Sequence, residues 1–407
     1  MGVLSALLAL AVVVALRALD PAPVAVVRVA AFDFYQRQYL QPLAPRSPVV
    51  VVAVDGESVA RLGPWPWPPG RLAALVDRIA AGGAKALAFT TPIGEGGGAS
   101  ATARLAAAMA RLPTVLAGDG ALPPGRGGRW RIVPAGVPEG LWTVPEASGN
   151  PPVLRAAAAA VGHPLVAPPG ERVARRLPAV VRVGERLVPA LALALWRAVR
   201  GGADYGIETA GDAVRAVGVG DRLVATDRQG ALWPRFAPVG SIPSVAAAAV
   251  LAGTVPKGAL AGRAVVVGPT TPEAAAATPV GPMPRAAIHA LVLDRLSRGG
   301  FLIRPAWAEA GEIGMVALAG LLALTLLVVG RGGWAVAGIA FLALAPAIAA
   351  TVAFAVYGVL LDAVLPTIAV LVVLFVVLEV RAVHRLARIA KKVPRGRHWR
   401  RRGGVSG

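Results

Sequence analysis

Three apolar runs near the carboxyl end, at residues 313–329, 334–354 and 359–378, constrain this chain more than any other feature. A helix needs roughly 20 predominantly apolar residues to cross the hydrocarbon core of a bilayer, and each run is close to that length. The breaks at Arg331-Gly332-Gly333 and Tyr357-Gly358 leave room only for tight re-entry, so three antiparallel spans are expected. Pro346 and Pro366 fall inside the second and third, where a bundle tolerates them if neighbours satisfy the freed carbonyls. Composition points the same way. The 407 residues are 56% hydrophobic and 16% charged, against about 45–50% and about 25% in soluble domains. Disorder is excluded for most of the chain. The absence of Cys excludes a disulfide framework, a thiolate nucleophile and cysteine-ligated zinc or iron–sulfur clusters.

A shorter apolar run of 14 residues, 3–16, opens the chain and is closed by Arg17, Asp20 and Pro21. A cleaved leader would carry a positive n-region and a small-residue cleavage site. No Lys or Arg precedes this run, so an uncleaved first span over 1–19 is expected, with Arg17 snorkelling toward the headgroups. Cations in short flanks favour the cytoplasm. Residues 381–402 hold ten Lys/Arg and no acid, half of the net charge of +20. The tail is therefore expected inside. Counting back through the spans puts 20–308 outside as one domain, followed by spans over 309–380 and a basic cytoplasmic tail over 381–407.

The long segment between the spans alternates strand and helix. Residues 48–54 end in VVVVAV, an unbroken run of the kind buried on both faces of a parallel sheet. Residues 71–81 place Leu72, Leu75, Val76 and Ile79 on one helical face, and Gly82-Gly83 ends it. A strand at 84–90, a helix at 101–112 and a strand at 113–117 complete a βαβαβ pattern, which implies a mainly parallel sheet with right-handed crossovers. Residues 118–152, rich in Gly and Pro, read as loops, with Trp130 and Trp142 packing part of them. A hairpin turns at Gly184-Glu185, a helix follows over 189–199, and 201–222 has no clear pattern. A short helix over 244–251, a strand at 264–267 and a helix at 285–296 follow, and the last βα pair is expected to rejoin the first sheet. The fold class is thus an extracytoplasmic α/β domain plus four transmembrane helices.

Few residues carry chemistry. His163, His289, His384 and His398 lie too far apart in sequence to form a ligand set with metal spacing, so neither a metal nor another cofactor is expected. His289 sits in an apolar helix and reads as a packed histidine, with ligand contact as the alternative. Asp55 ends a strand, where open α/β sheets bind ligands, or it caps a turn. Trp65 and Trp67, between prolines, close the core over the sheet or form a stacking wall. Gly94-Glu95-Gly96-Gly97-Gly98 lacks the endings of phosphate-binding loops. Ser58, Ser100, Ser241 and Ser244 stand in no nucleophile elbow. In the tail, Val380, Val383, Leu386, Ala390 and Val393 recur at helical spacing, so the last span is expected to continue as an amphipathic helix. Its arginines would face a partner or anionic lipid, where each contributes about 1 kcal/mol. Nucleic acid fits the charge but not the position beside a membrane.

Several of these residues together resemble the type-two CHASE sensory domain, CHASE2. They are Asp33, the VVVVAV strand ending at Asp55, Ser58, Gly63, Trp65-Pro66-Trp67-Pro68, Gly83-Ala84 and Ala88-Phe89. Later matches are Arg175, Pro189-Ala190-Leu191-Ala192, Leu251-Ala252-Gly253, the strand to Gly268, Pro279, Met283-Pro284 and His289-Ala290. The resemblance covers 20–305, and the three spans that follow match the family's usual arrangement. It implies an extracytoplasmic sensor, a homodimer, and coupling to a nucleotide cyclase or a kinase in the cytoplasm.

The chain also departs from that pattern. Thr90 stands where the family has an acid, Pro69 replaces the Arg after the Trp-Pro motif, with Arg71 two residues later, and Ala167-Pro168-Pro169-Gly170 replaces an acidic loop. The 27 residues after the third span hold no nucleotide-binding motif and no room for a catalytic domain of roughly 100 residues. The expectation is a non-enzymatic inner-membrane sensor that signals through a partner, with candidate ligand contacts at Asp55, Ser58, Trp65, Trp67, Arg71 and His289. The alternatives are a non-signalling envelope scaffold and, least favoured, an extracytoplasmic hydrolase.

Overall fold

The computed structural model describes residues 2–94, 96–118, 122, 127–134, 136–146, 149–305, 307–330 and 332–392. They divide into two compact units, one from the described residues of Met1–Ala31, Pro305–Ala353 and Leu361–Gly407, the other from Phe32–Arg304 and Phe354–Leu360.

The first helix, α1 (Gly2–Leu19), is followed by α2 (Ala22–Gln38) at a bend of 77°. The α/β unit then opens with β1 (Val49–Val54), buried at all six positions. Next come α3 (Gly56–Leu62), α4 (Pro69–Ala81), β2 (Ala86–Phe89), α5 (Gly98–Arg111), β3 (Thr114–Ala117), β4 (Trp130–Val133), α6 (Pro152–Ala157) and β5 (Ala160–Gly162). After these run β6 (Leu177–Pro178), β7 (Val180–Val183), β8 (Arg186–Pro189), α7 (Leu191–Val199), β9 (Tyr205–Ala210), β10 (Ala213–Val219), β11 (Arg222–Ala225) and β12 (Ala231–Pro234). The unit continues with β13 (Ser244–Ala246), α8 (Ala247–Ala252), β14 (Ala264–Pro269), β15 (Ala275–Thr278), β16 (Gly281–Pro284), α9 (Arg285–Arg298) and β17 (Phe301–Leu302).

Among the described residues, six strands form one sheet in the order β13-β1-β14-β2-β3-β5, every neighbouring pair parallel. The expected return of the last βα pair is met: β14 slots between β1 and β2. Alternate residues of β1 feed two cores. Val50, Val52 and Val54 face Leu72, Leu75, Val76 and Ile79 of α4, with Leu105 of α5 and Val250 of α8. Val49, Val51 and Ala53 face Leu191 and Leu195 of α7 and Ile288 and Leu291 of α9. Helices therefore cover both faces, as the unbroken apolar strand requires.

Three local readings change. Residues 201–222 build an antiparallel meander, β9–β10–β11, joined by β4 in parallel to β9. Its strands are interrupted by Gly211 and Gly220, so the alternation is too short to read. The 118–152 stretch is not all loop, because β4 lies in it, and parts of it fall outside the described residues. Trp130 stacks on Tyr205 with ring centroids 4.6 Å apart, and Trp142 lies beneath Arg176. Residues 244–251 divide into β13, paired with β1, and α8, because the Ser244–Ala246 backbone is taken by the sheet edge.

Three helices among the described residues are long and apolar enough to cross a membrane, and four if the bent α1–α2 pair is one span. They are α10 (Ala308–Val329), α11 (Gly332–Val352) and α12 (Val364–Lys392). The expected turn at Arg331 lies outside the described residues. The third span starts later than the apolar run, at Val364. Val359 is held in a bridge with Ile303, and the Asp362 carboxylate accepts from Val364 N at 2.8 Å. Pro366 therefore sits in the first helical turn, where a missing N–H leaves no bond unmade. The α12 helix continues to Lys392 as expected, whereas Val393 and His398 lie outside the described residues.

Arg17 does not snorkel. It is 1% exposed, and its Nε donates to Glu312 Oε2 at 3.1 Å. Ala6, Leu10 and Val13 of α1 share a core with Val316 and Ala323 of α10 and Ala369 and Val373 of α12. That packing draws Arg17 inward, toward a carboxylate on the neighbouring helix.

Candidate functional site

The carboxyl ends of β1, β14 and β2 form the crest of the sheet. After β1 the chain passes to α3 and α4 on one face, and after β14 it passes to α9 on the other. Such a divergence is where open α/β sheets bind ligands. Five of the six candidate residues lie on or beside this crest.

Asp55 caps α3. Its Oδ1 accepts from Ser58 N at 2.8 Å, satisfying a donor that the first helical turn cannot. Ser58 is fully buried, and its Oγ accepts from Ala248 N at 3.1 Å, tying α3 to α8. Helix α3 ends at Gly63, whose φ of 87° lies in the left-handed region that glycine adopts without strain. The Gly63 carbonyl accepts from Trp67 Nε1 at 2.9 Å. Trp67 is 2% exposed and meets Trp65 edge-on, centroids 5.4 Å apart. Trp65 is half-buried, and its Nε1 donates to Thr91 Oγ1 at 3.3 Å. Arg71 lies 5.9 Å from the Trp67 ring centroid and donates to the Leu62 carbonyl. Pro69, where the resemblance leads one to expect Arg, is buried at the start of α4.

Thr90 occupies the position of the missing acid, and its hydroxyl donates to the Val267 carbonyl at 3.3 Å. Next to it, a Cβ on Gly268 would come within 2.0 Å of Thr90 Oγ1, so glycine there permits the close approach of the two strand ends. The groups left to face outward are the half-buried Asp55, Trp65, Thr90 and Thr91. A pocket of about 230 Å³ lined by Arg78, Val250, Lys257 and Leu260 opens at the ends of α4 and α8, which precede β2 and β14. It lies at the other end of the sheet and contains none of the candidates. Among the described residues no three His, Asp or Glu converge to hold a metal.

His289 lies elsewhere. It projects from α9 into the core on the opposite face, 1% exposed, with Nε2 3.2 Å from the Pro164 carbonyl. That geometry puts the ring proton on Nε2. His163, at the end of β5, is buried against it. Burial pushes the His163 imidazole down from 6.5 to about 3, reinforced by any charge on His289, and burial pushes His289 down to about 4. The Pro178 carbonyl slightly favours a charged His163, yet neither ring nitrogen of His163 reaches a hydrogen-bonding geometry among the described residues. Both rings are neutral core groups.

Two polar assemblies had no signal beyond single residues. Arg175 makes a bidentate pair with Asp33 of α2, both bonds 2.8 Å. Buried Gln36, one turn on, donates to the Pro234 carbonyl at 3.0 Å and accepts from Phe236 N at 3.2 Å. Arg235 reaches the segment Phe354–Leu360, donating to the carbonyls of Phe354 and Ala355, with its guanidinium 5.3 Å from the Phe354 ring centroid. Tyr35 packs on the same ring at 5.5 Å. The last residues of α2 and the turn between α11 and α12 are thus built into the α/β unit.

A family model of the CHASE2 domain matches residues 7–327. The chain belongs to the CHASE2 family. No curated protein and no solved structure matches it. CHASE2 domains are extracellular sensory domains, and with the helices long and apolar enough to cross a membrane they make this a membrane receptor chain. The CHASE2 motif residues divide by use. Asp55, Ser58, Gly63 and the two tryptophans shape the crest, whereas Asp33 and Arg175 fasten α2.

Proposed function

We propose that this CHASE2 chain is an inner-membrane sensor with residues 20–308 outside the cytoplasm and the basic tail, 381–407, inside. The observation that carries the reading is that two pieces of chain continuous with membrane helices, the end of α2 and the turn Phe354–Leu360, belong to the sensory unit. A stimulus that prefers one arrangement of that unit biases both, and only a differential affinity for the two arrangements shifts the equilibrium. The stimulus acts at the crest, through Asp55, Trp65, Thr90 and Thr91. The sensor works as a homodimer, and α12 carries its state to a cytoplasmic kinase or cyclase partner. The chain itself performs no catalysis.

Because the chain has no Cys, single cysteines test the topology cleanly. Ser241→Cys, at an exposed position, is expected to react with an impermeant maleimide in intact cells, and Ser406→Cys only after permeabilisation. The reverse pattern overturns the reading. Co-purification from native membranes then tests the partner.

One observation favours a second reading, a scaffold that keeps the fold without a ligand. Asp55 Oδ1, Ser58, Trp67 and Arg71 each bond to a neighbour within the crest. Recovery of no kinase or cyclase from native membranes favours that scaffold.

A further inference from the structure

In the membrane unit, α1 ends where α10 and α12 begin, and five ionisable side chains gather at that end. Arg17 pairs with Glu312, both about 1% exposed. Arg28 pairs with both oxygens of Asp20 in the bend between α1 and α2, at 2.6 and 2.8 Å. The fifth is Asp362, 1% exposed. Its backbone N–H donates to Glu312 Oε1 at 2.8 Å, and its Oδ1 accepts from Val364 N. Its Oδ2 is buried with no hydrogen-bond partner among the described residues.

Neither guanidinium group reaches the second oxygen of Asp362. The charged groups that act on Asp362 from the packed elements are Arg17 of α1, Arg28 of α2 and Glu312 of α10. Arg17 and Arg28 are already engaged by Glu312 and Asp20. An ionised carboxylate enclosed beside a second carboxylate, with one oxygen lacking a donor, is the costliest arrangement such a site can hold. Arg17 and Glu312 lie within α1 and α10, and Asp362 stands in the loop just before α12; ionisable groups within membrane helices are rare and tend to mark proton or ion sites.

We infer that Asp362 is a proton-binding site of the membrane unit, its Oδ2 carrying a proton while α1 is closed against α10 and α12. The proton removes a negative charge from beside Glu312 and converts the orphaned acceptor into a hydroxyl. Opening the contact between α1 and α10 admits water, ionises the group and releases the proton. By linkage, proton activity at this end of the bundle then biases the closed arrangement, and a proton is a ligand of the receptor.

The test is infrared spectroscopy of the full chain in lipid nanodiscs at pH 7. A neutral-carboxyl C=O band is expected that shifts down when Asp side chains carry ¹³C and disappears in Asp362→Asn. Should that variant fail to fold, Asp362→Glu is expected to move the band's isotope sensitivity from Asp to Glu. A spectrum with no such band overturns the proposal. So does a band that survives Asp362→Asn, or one that fails to change label in Asp362→Glu.

Discussion

Asp33 and Arg175, 142 residues apart in sequence, meet in a two-pronged ion pair in which both nitrogen–oxygen distances are 2.8 Å. One residue sits on α2 and the other just before β6, so the pair fixes the helix entering the α/β unit to the middle of that unit. The Asp33 and Arg175 side chains are 14% and 24% exposed, which leaves the contact largely unscreened. Either alanine substitution is expected to cost about 1–3 kcal/mol, because the surviving charge is left half-buried and unpaired. Arg175→Lys should recover little, since an ammonium cannot form the fork. Denaturant melts of the full chain in detergent, arranged as a double-mutant cycle, measure the coupling. A coupling near zero would show that the pair carries no stability.

The pair also illustrates what a linear reading can reach. Asp33 and Arg175 stood out individually by resemblance, but nothing in the string placed them together. Elements dictated by local period were legible: the all-apolar β1, the amphipathic α4 with Gly82 beyond it, β2, α5 and β3. Sheet order was less so. That β14 enters between β1 and β2 follows from burial on both faces only once the closing strand is assigned to that sheet. Arg235 was illegible because its partners are backbone carbonyls 119 and 120 residues away, and a carbonyl has no residue identity. Arg17 misled for a related reason: a cation after an apolar run looks like a headgroup anchor until Glu312, 295 residues on, is brought beside it. On the crest, the Trp-Pro motif was legible as a rigid element. That its indoles are spent on Gly63 and Thr91 required the fold.

Arg235 offers a direct probe of the turn between α11 and α12. Arg235→Ala removes the donors to Phe354 and Ala355 and the stacking on the Phe354 ring. The turn is also held by Ile303 N donating to the Gly358 carbonyl at 2.8 Å and Leu360 N to the Ile303 carbonyl at 2.9 Å, by Arg304 Nη1 donating to the Leu360 carbonyl at 3.4 Å, and by Tyr35 on the Phe354 ring. Hydrogen exchange at Ile303 and Leu360 is expected to accelerate by roughly tenfold or more in the variant, equivalent to about 1.4 kcal/mol of lost local stability. The amides of β1 should be unaffected. Equal acceleration across both would mean global destabilisation instead.

The neutral histidine pair predicts an acid-labile domain. Both folded-state values lie below the ordinary 6.5, at about 3 for His163 and about 4 for His289. The unfolded chain therefore takes up protons first as pH falls. Stability from this source is complete above about pH 6.5 and is lost as pH drops from there toward 4 and 3. Each ring contributes a slope of up to about 1.4 kcal/mol per pH unit within its window. Thermal melts between pH 7.5 and 5 should show a falling midpoint, and His289→Gln should flatten the dependence even if it lowers the midpoint throughout. A slope unchanged in that variant would move the acid sensitivity to other groups.

Asp55 separates capping from recognition, because the cap needs only an oxygen acceptor and not the charge. Oδ1 accepts from Ser58 N, a role that asparagine fills equally well. Asp55→Ala is expected to destabilise the domain by about 1 kcal/mol through loss of the cap. Asp55→Asn should leave the melting midpoint nearly unchanged, since the amide oxygen can take over the bond. The Asp55 charge is lost in both variants while Glu57 in the first turn of α3 remains, removing the only carboxylate among the outward-facing crest residues Asp55, Trp65, Thr90 and Thr91. If the crest recognises its stimulus through that carboxylate, Asp55→Asn uncouples stimulus from output in a folded protein. Trp65→Phe, which keeps the edge-on contact with Trp67 and gives up the bond to Thr91, should weaken the response only partially. A full response from stably folded Asp55→Asn would reduce Asp55 to a helix cap and favour the scaffold reading.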